Sequence, residues 1–76
     1  MTPLEQKVID IVQTDLDVKD VSLSSTFESL GADSLDFIEL ILKFEQEFKI
    51  KITHDEADNL HTVEDIVNFI AYYDAH

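Results

Sequence analysis

Ser34, His54, His61 and the carboxylates around them are the residues of this 76-residue chain whose types could do covalent chemistry. A serine becomes a catalytic nucleophile when a base activates it and a pocket holds the substrate. Neither condition is met here. The stretch Ala32-Asp33-Ser34-Leu35-Asp36 is not a nucleophile elbow, and so short a chain builds no deep pocket. Taken bare, Ser34 or the preceding Asp33 reads as a helix cap after Gly31. The stretch Asp15-Leu16-Asp17-Val18-Lys19-Asp20 begins like a calcium loop. It has Asp20 where that loop turns on Gly and Thr26 where it needs a bidentate Glu. Weak surface binding of divalent cations is the most it supports. The three histidines, His54, His61 and His76, read as surface or capping residues, and there is no cysteine for a disulfide or a metal.

The elements that must position Ser34 mark their own starts. One Gly and one Pro suit helices better than turn-rich β structure. Thr2-Pro3-Leu4-Glu5 combines a cap, a Pro at the first helical position and a capping-box Glu. Leu4, Val8, Ile11, Val12 and Leu16 follow at helical spacing, so the first helix is expected over residues 3–16. Residues 17–33 form a long connection. Within it Ser25-Thr26-Phe27-Glu28 reads as a further capping box that can open a short turn of helix, and Phe27 and Leu30 can dock the loop on the core. A second helix is expected from Ser34 to about Phe48, and a short third from the Thr53-His54-Asp55-Glu56 box to near Leu60. A fourth starts at Thr62-Val63-Glu64-Asp65 and places Val63, Ile66, Val67, Ile70 and Tyr73 on one face. The expected fold is all-α, a four-helix bundle with a long first loop and a short third helix, and residues 1–76 form one domain.

Charge narrows the partners. Seventeen acidic against five basic residues give a net charge of −12. That excludes nucleic acid, which needs a basic footprint, and disfavours anionic membranes. It favours basic protein partners, whose encounter it steers. A disordered acidic tail is rejected because 45% of the residues are hydrophobic and periodically placed. No apolar run is long enough to insert in a membrane, and Met1-Thr2-Pro3-Leu4-Glu5 lacks the layout of a signal peptide, so a cytoplasmic protein is the simplest expectation, with organelle import after removal of a presequence left open. A monomer is expected.

The second helix carries two stripes. Phe37, Leu40, Ile41, Phe44 and Phe48 make an ordinary core face. Leu35, Ile38 and Leu42 fall elsewhere, among Asp36, Glu39 and Gln46, with Glu45 near the edge. Such a mixed face is either a docking surface or is partly covered by the long loop or the third helix.

The run Leu30-Gly31-Ala32-Asp33-Ser34-Leu35-Asp36, followed by Glu39-Leu40 and Glu45-Gln46-Glu47-Phe48, resembles the acyl carrier proteins of fatty acid and polyketide synthesis. The resemblance spans the chain, through the acidic Asp55-Glu56-Ala57-Asp58 and Thr62-Val63. It implies a non-catalytic carrier. A phosphopantetheinyl transferase would attach 4′-phosphopantetheine from coenzyme A to Ser34, and acyl chains would ride on that arm as thioesters. It also implies a recognition surface at Asp33, Leu35, Asp36, Ile38, Glu39, Leu42, Glu45, Gln46, Asp55, Glu56 and Asp58. That surface would meet acyltransferases, ketosynthases, reductases and dehydratases. An acyl pocket maps onto Phe27, Leu40, Ile41, Phe44, Ile52, Ala57, Leu60 and Ile66, which are equally candidates for plain core. Lys43, Gln46, Lys49, Lys51 and Thr53 depart from the family pattern and leave open a specialised carrier of a secondary pathway. An adaptor that never bears the arm is the other alternative, and the intact Asp33-Ser34-Leu35 argues against it. Gly31-Ala32-Asp33 favours acyl over amino-acid carriers.

Overall fold

Thr2 opens the first helix with a reciprocal pair of bonds. Its N–H donates to Glu5 Oε1 at 2.7 Å, and the Glu5 N–H donates to Thr2 Oγ1 at 3.1 Å. These satisfy two of the donors that every helix start leaves free. In the computed structural model, which describes residues 1–75, four helices follow in order: α1 (Pro3–Leu16), α2 (Ser34–Phe48), α3 (His54–Ala57) and α4 (Val63–Ala75). Both α1 and α2 stop at a left-handed residue, Asp17 at φ 54° and Lys49 at φ 56°. A left-handed cap turns the chain away while its N–H still satisfies a late carbonyl.

α1 packs on α4 and on α2. Val8, Val12, Leu40, Phe44, Val63, Ile66 and Ile70 meet in the fully buried centre. Truncating Phe44 to Ala there costs about 3–5 kcal/mol, a large share of the stability of so small a domain. Phe48 is half-buried at the end of the stripe. Its ring lies 6.4 Å from that of Phe44, and Lys7 Nζ covers it at 5.0 Å from the centroid.

The long connection is strapped to the start of α4. Phe27 N–H donates to the His61 carbonyl (3.2 Å), Val63 N–H to that of Ser25 (3.0 Å) and Glu64 N–H to that of Leu23 (2.9 Å). Asp65 secures the other side of this junction. Its Oδ2 accepts from the backbone N–H of His61 and of Thr62, at 2.9 and 3.0 Å, and its own N–H donates to Thr62 Oγ1 at 3.1 Å. The His61 and then the Thr62 backbone donors hold the Asp65 carboxyl below its ordinary value.

The structure corrects four local expectations. The third helix ends at Ala57, short of Leu60. Asn59 and Leu60 there donate to carbonyls three residues back, and that tighter winding turns Leu60 into the core. In the long loop the cap is Thr26, which accepts from Ser29 N–H at 3.0 Å and opens a turn and no helix. Tyr73 is 41% exposed, because the core ends at Ile70. Ile9 and Ile50, absent from the expected core stripes, are buried. Of the two caps offered for α2, Asp33 is the one used, so Ser34 is the first helical residue and caps nothing.

Candidate functional site

Gly31 sets the entry to α2. Its φ of 85° turns the chain where an L side chain is strained. Gly31 N–H and Ala32 N–H donate back to the carbonyls of Glu28 and Phe27, each at 3.0 Å. Asp33 then takes the cap. Its Oδ1 accepts from Asp36 N–H at 2.9 Å, and Asp36 Oδ2 accepts from Asp33 N–H at 3.2 Å. With this work done by its neighbours, the Ser34 side chain stands exposed and makes no hydrogen bond among the described residues. The amides of Ser34 and Leu35 have no acceptor within the helix, and the dipole of α2 adds positive potential at the same end. These donors favour an anion at Ser34 Oγ, while the Asp33 and Asp36 carboxylates at the same end oppose it.

Two clefts meet at Ser34. One, of about 750 Å³, lies between the long loop and the α3 region and includes Phe27, Ala32, Phe37, Ala57, Leu60 and His61. The other, of about 370 Å³, lies between α2 and α3 and includes Phe37, Ile38, Ile41, Leu42, Ile52 and Ala57. Ser34, Phe37, Ala57 and Asp58 border both.

Of the residues expected to form an acyl pocket, Phe27, Ala57 and Leu60 line the first cleft, and Ile41, Ile52 and Ala57 line the second. Leu40, Phe44 and Ile66 line neither and belong to the closed core. Phe37, read from sequence only as a core residue, is a wall of both clefts. Its position three residues after Ser34 was the available signal, since residues so spaced share a helix face.

The mixed face of α2 is open. Leu35, Ile38 and Leu42 are 64%, 52% and 51% exposed, and Ile38 and Leu42 also border the cleft between α2 and α3. Glu39 and Gln46 are exposed beside them, as are Asp55, Glu56 and Asp58 on and after α3. Several of these carboxylates have structural duties. Asp33 and Asp36 cap α2. Glu56 Oε1 accepts from Thr53 N–H at 2.9 Å. Glu45 is half-buried, and its Oε2 accepts from Ile52 N–H at 2.9 Å, tying the α2–α3 connection to α2. Lys43 pairs with Glu47 at 3.5 Å.

Residues 6–70 match the family model described as the phosphopantetheine attachment site. An acyl carrier protein of Porphyromonas gingivalis is 42% identical over 73 residues, which cover 92% of this chain and 94% of the relative. The chain belongs to the acyl carrier protein family. Another family member, the acyl carrier protein of Clostridium acetobutylicum, is 43% identical over 68 residues, covering 86% of this chain and 88% of its own. Solved structures agree. The crystal structure of an acyl carrier protein from Thermotoga maritima superposes with a TM-score of 0.80 at 28% identity, covering 95% of this chain and 87% of that one. The solution structure of a putative acyl carrier protein from Anaplasma phagocytophilum gives 0.84 at 30%, covering 92% and 86%. Family membership makes 4′-phosphopantetheine the prosthetic group of this carrier, and the all-helical bundle is the fold of these structures.

Proposed function

We propose that residues 1–76 act as one non-catalytic acyl carrier, with Ser34 the attachment point of the arm. The observation that carries the assignment is the exposed, uncommitted Ser34 hydroxyl at the start of α2, on the shared rim of two clefts. In the loading step Ser34 Oγ attacks the phosphorus of coenzyme A that bears pantetheine. A new P–O bond forms, the pyrophosphate link breaks, adenosine 3′,5′-bisphosphate leaves, and the hydroxyl proton passes to a base of the transferase. Ser34 needs no base of its own for this. The arm supplies a thiol that holds an acyl group as a thioester.

The chain's residues then have three tasks. Asp33 and Asp36 hold the start of α2 so that Ser34 faces outward. The apolar wall of the α2–α3 cleft shelters the acyl chain from water. Leu35, Ile38 and Leu42, flanked by Glu39, Gln46, Asp55 and Asp58, meet partner enzymes that offer Arg and Lys near their active-site entrances. These partners are the transferase and the acyltransferases, ketosynthases, reductases and dehydratases of fatty acid or related synthesis, met in the cytoplasm. Among the described residues no helix is long and apolar enough to cross a membrane.

Intact mass after incubation with coenzyme A, Mg²⁺ and a phosphopantetheinyl transferase tests the assignment. The wild type should gain one arm and Ser34→Ala none. A wild type unchanged by several transferases overturns it and leaves the adaptor reading.

A further inference from the structure

The two clefts that meet at Ser34 are chemically unlike. Ile38, Ile41, Leu42 and Ile52 line the α2–α3 cleft together with Glu45, Thr53, His54 and Asp58, and most of its exposed surface is apolar. The loop cleft presents Thr26, Glu28, Asp33 and His61 as well as apolar groups. A saturated acyl chain gains free energy in proportion to the apolar surface removed from water, so it favours the α2–α3 cleft. Phe37 stands on the boundary, since it lines both spaces. Its ring lies 5.3 Å from that of Phe27, tilted by 55°, and is half-buried. Phe27 is buried and pinned through its N–H to the His61 carbonyl. The boundary is therefore a held aromatic pair, one of whose members is tied to the loop backbone.

We propose that Phe37 is a specificity-determining residue: its ring closes the α2–α3 cleft toward the loop cleft, confines the acyl chain to the former, and so sets the longest chain the carrier shelters. This rests on the carrier reading of Ser34. A smaller side chain at position 37 joins the two spaces, and a larger one shortens the sheltered length.

The test loads wild type, Phe37→Ala, Phe37→Leu and Phe37→Trp with saturated acyl groups of increasing length. Thioester hydrolysis is measured at each length, and acyl-dependent NMR shifts are followed at Ile52 and Leu60. In the wild type, hydrolysis should slow by up to about 4-fold per added methylene, the equilibrium factor for burying one CH₂, and then level off. Its NMR shifts should appear at Ile52 and spare Leu60. Phe37→Ala should level off at longer chains and bring Leu60 into the shifted set, Phe37→Leu should fall between, and Phe37→Trp should level off earlier. If circular dichroism shows Phe37→Ala unfolded, the Leu and Trp variants still move the break point in opposite directions. A variant that only loosens packing speeds hydrolysis equally at every length. That result, or an unmoved break point on a loaded carrier, overturns the proposal and leaves the carrier reading standing. A wild type that accepts no arm overturns both.

Discussion

Asp65 offers the most direct test of how the site is held. Its Oδ2 takes two backbone donors, from His61 and Thr62, at the same junction where Phe27 and Val63 bind the long loop to the α3–α4 connection. Asp65→Asn keeps the shape and removes the charge. The Asn oxygen still accepts these bonds, so the variant loses only the negative charge at the start of α4, worth about 0.5–1 kcal/mol. In a domain of this size each kcal/mol moves Tm by about 4–8 °C, so the variant should melt about 2–8 °C below wild type at pH 7.

The pH dependence separates this account from a simple packing loss. The folded state lowers the Asp65 pKa from its ordinary value of 3.8. The stability it contributes is therefore fully present above that value and disappears as pH falls through the lower, folded value. Thermal melts by circular dichroism at pH 7, 5, 4 and 3 should show a constant gap between wild type and variant down to about pH 5. The gap should then narrow in acid. An equal gap at pH 7 and pH 3, or none at pH 7, refutes the reasoning. Because the junction also places Phe27 and Leu60 in the loop cleft, amide shifts of both residues should change in Asp65→Asn at neutral pH.

Three further outcomes follow from the same geometry. Glu39→Lys, on an exposed position beside Ile38, should lower kcat/KM of a partner transferase roughly tenfold at low salt, with much less effect at high salt; unchanged kinetics at low salt would count against the docking face. Gly31→Ala should cost about 1–2 kcal/mol from its φ of 85° alone, since a Cβ there meets nothing within 4 Å; an unchanged urea midpoint contradicts this. Added NaCl should raise Tm, because the net charge is −12 and Lys43–Glu47 is the only ion pair among the described residues; a fall in Tm would show that self-repulsion is not a significant destabilising force.

Helix starts were legible because their cause is local. Thr2 with Glu5, Thr53 with Glu56 and Thr62 with Asp65 each satisfy backbone donors within four residues, and all three boxes form. Other features depend on tertiary packing. α3 stops early because Leu60 must reach the core. Ile9 is buried because α1 is packed by both α4 and α2, which widens its apolar face beyond a single stripe. Ile50 is buried because the left-handed Lys49 and the bond from Ile50 N–H to the Glu45 carbonyl redirect the chain after α2. Tyr73 continues the period of α4 past the point where there is core to meet. Ser34 was legible as a focus from its neighbours. The two clefts beside it were not, because concavity arises from how the loop and α3 lie against α2.

The same geometry sorts the carboxylates of the proposed recognition face into two groups. Asp33, Asp36, Glu45 and Glu56 each accept a backbone hydrogen bond that holds a helix start or a connection. Reversing the charge of any of them disturbs the site as well as the field around it. Glu39, Asp55 and Asp58 are exposed, and none of their side chains makes a hydrogen bond or ion pair among the described residues. Their charge is free to act on a partner at a distance. A lost interaction in Asp36→Lys therefore has two causes, a frayed start of α2 beneath Ser34 and a weakened encounter, whereas in Glu39→Lys it has one. The first persists at high salt, where surface attraction is screened over about 3 Å at 1 M, and the second does not. Salt dependence thus divides the acidic surface of this carrier into charge that shapes the start of α2 at Ser34, the proposed attachment point, and charge free to draw in a basic partner.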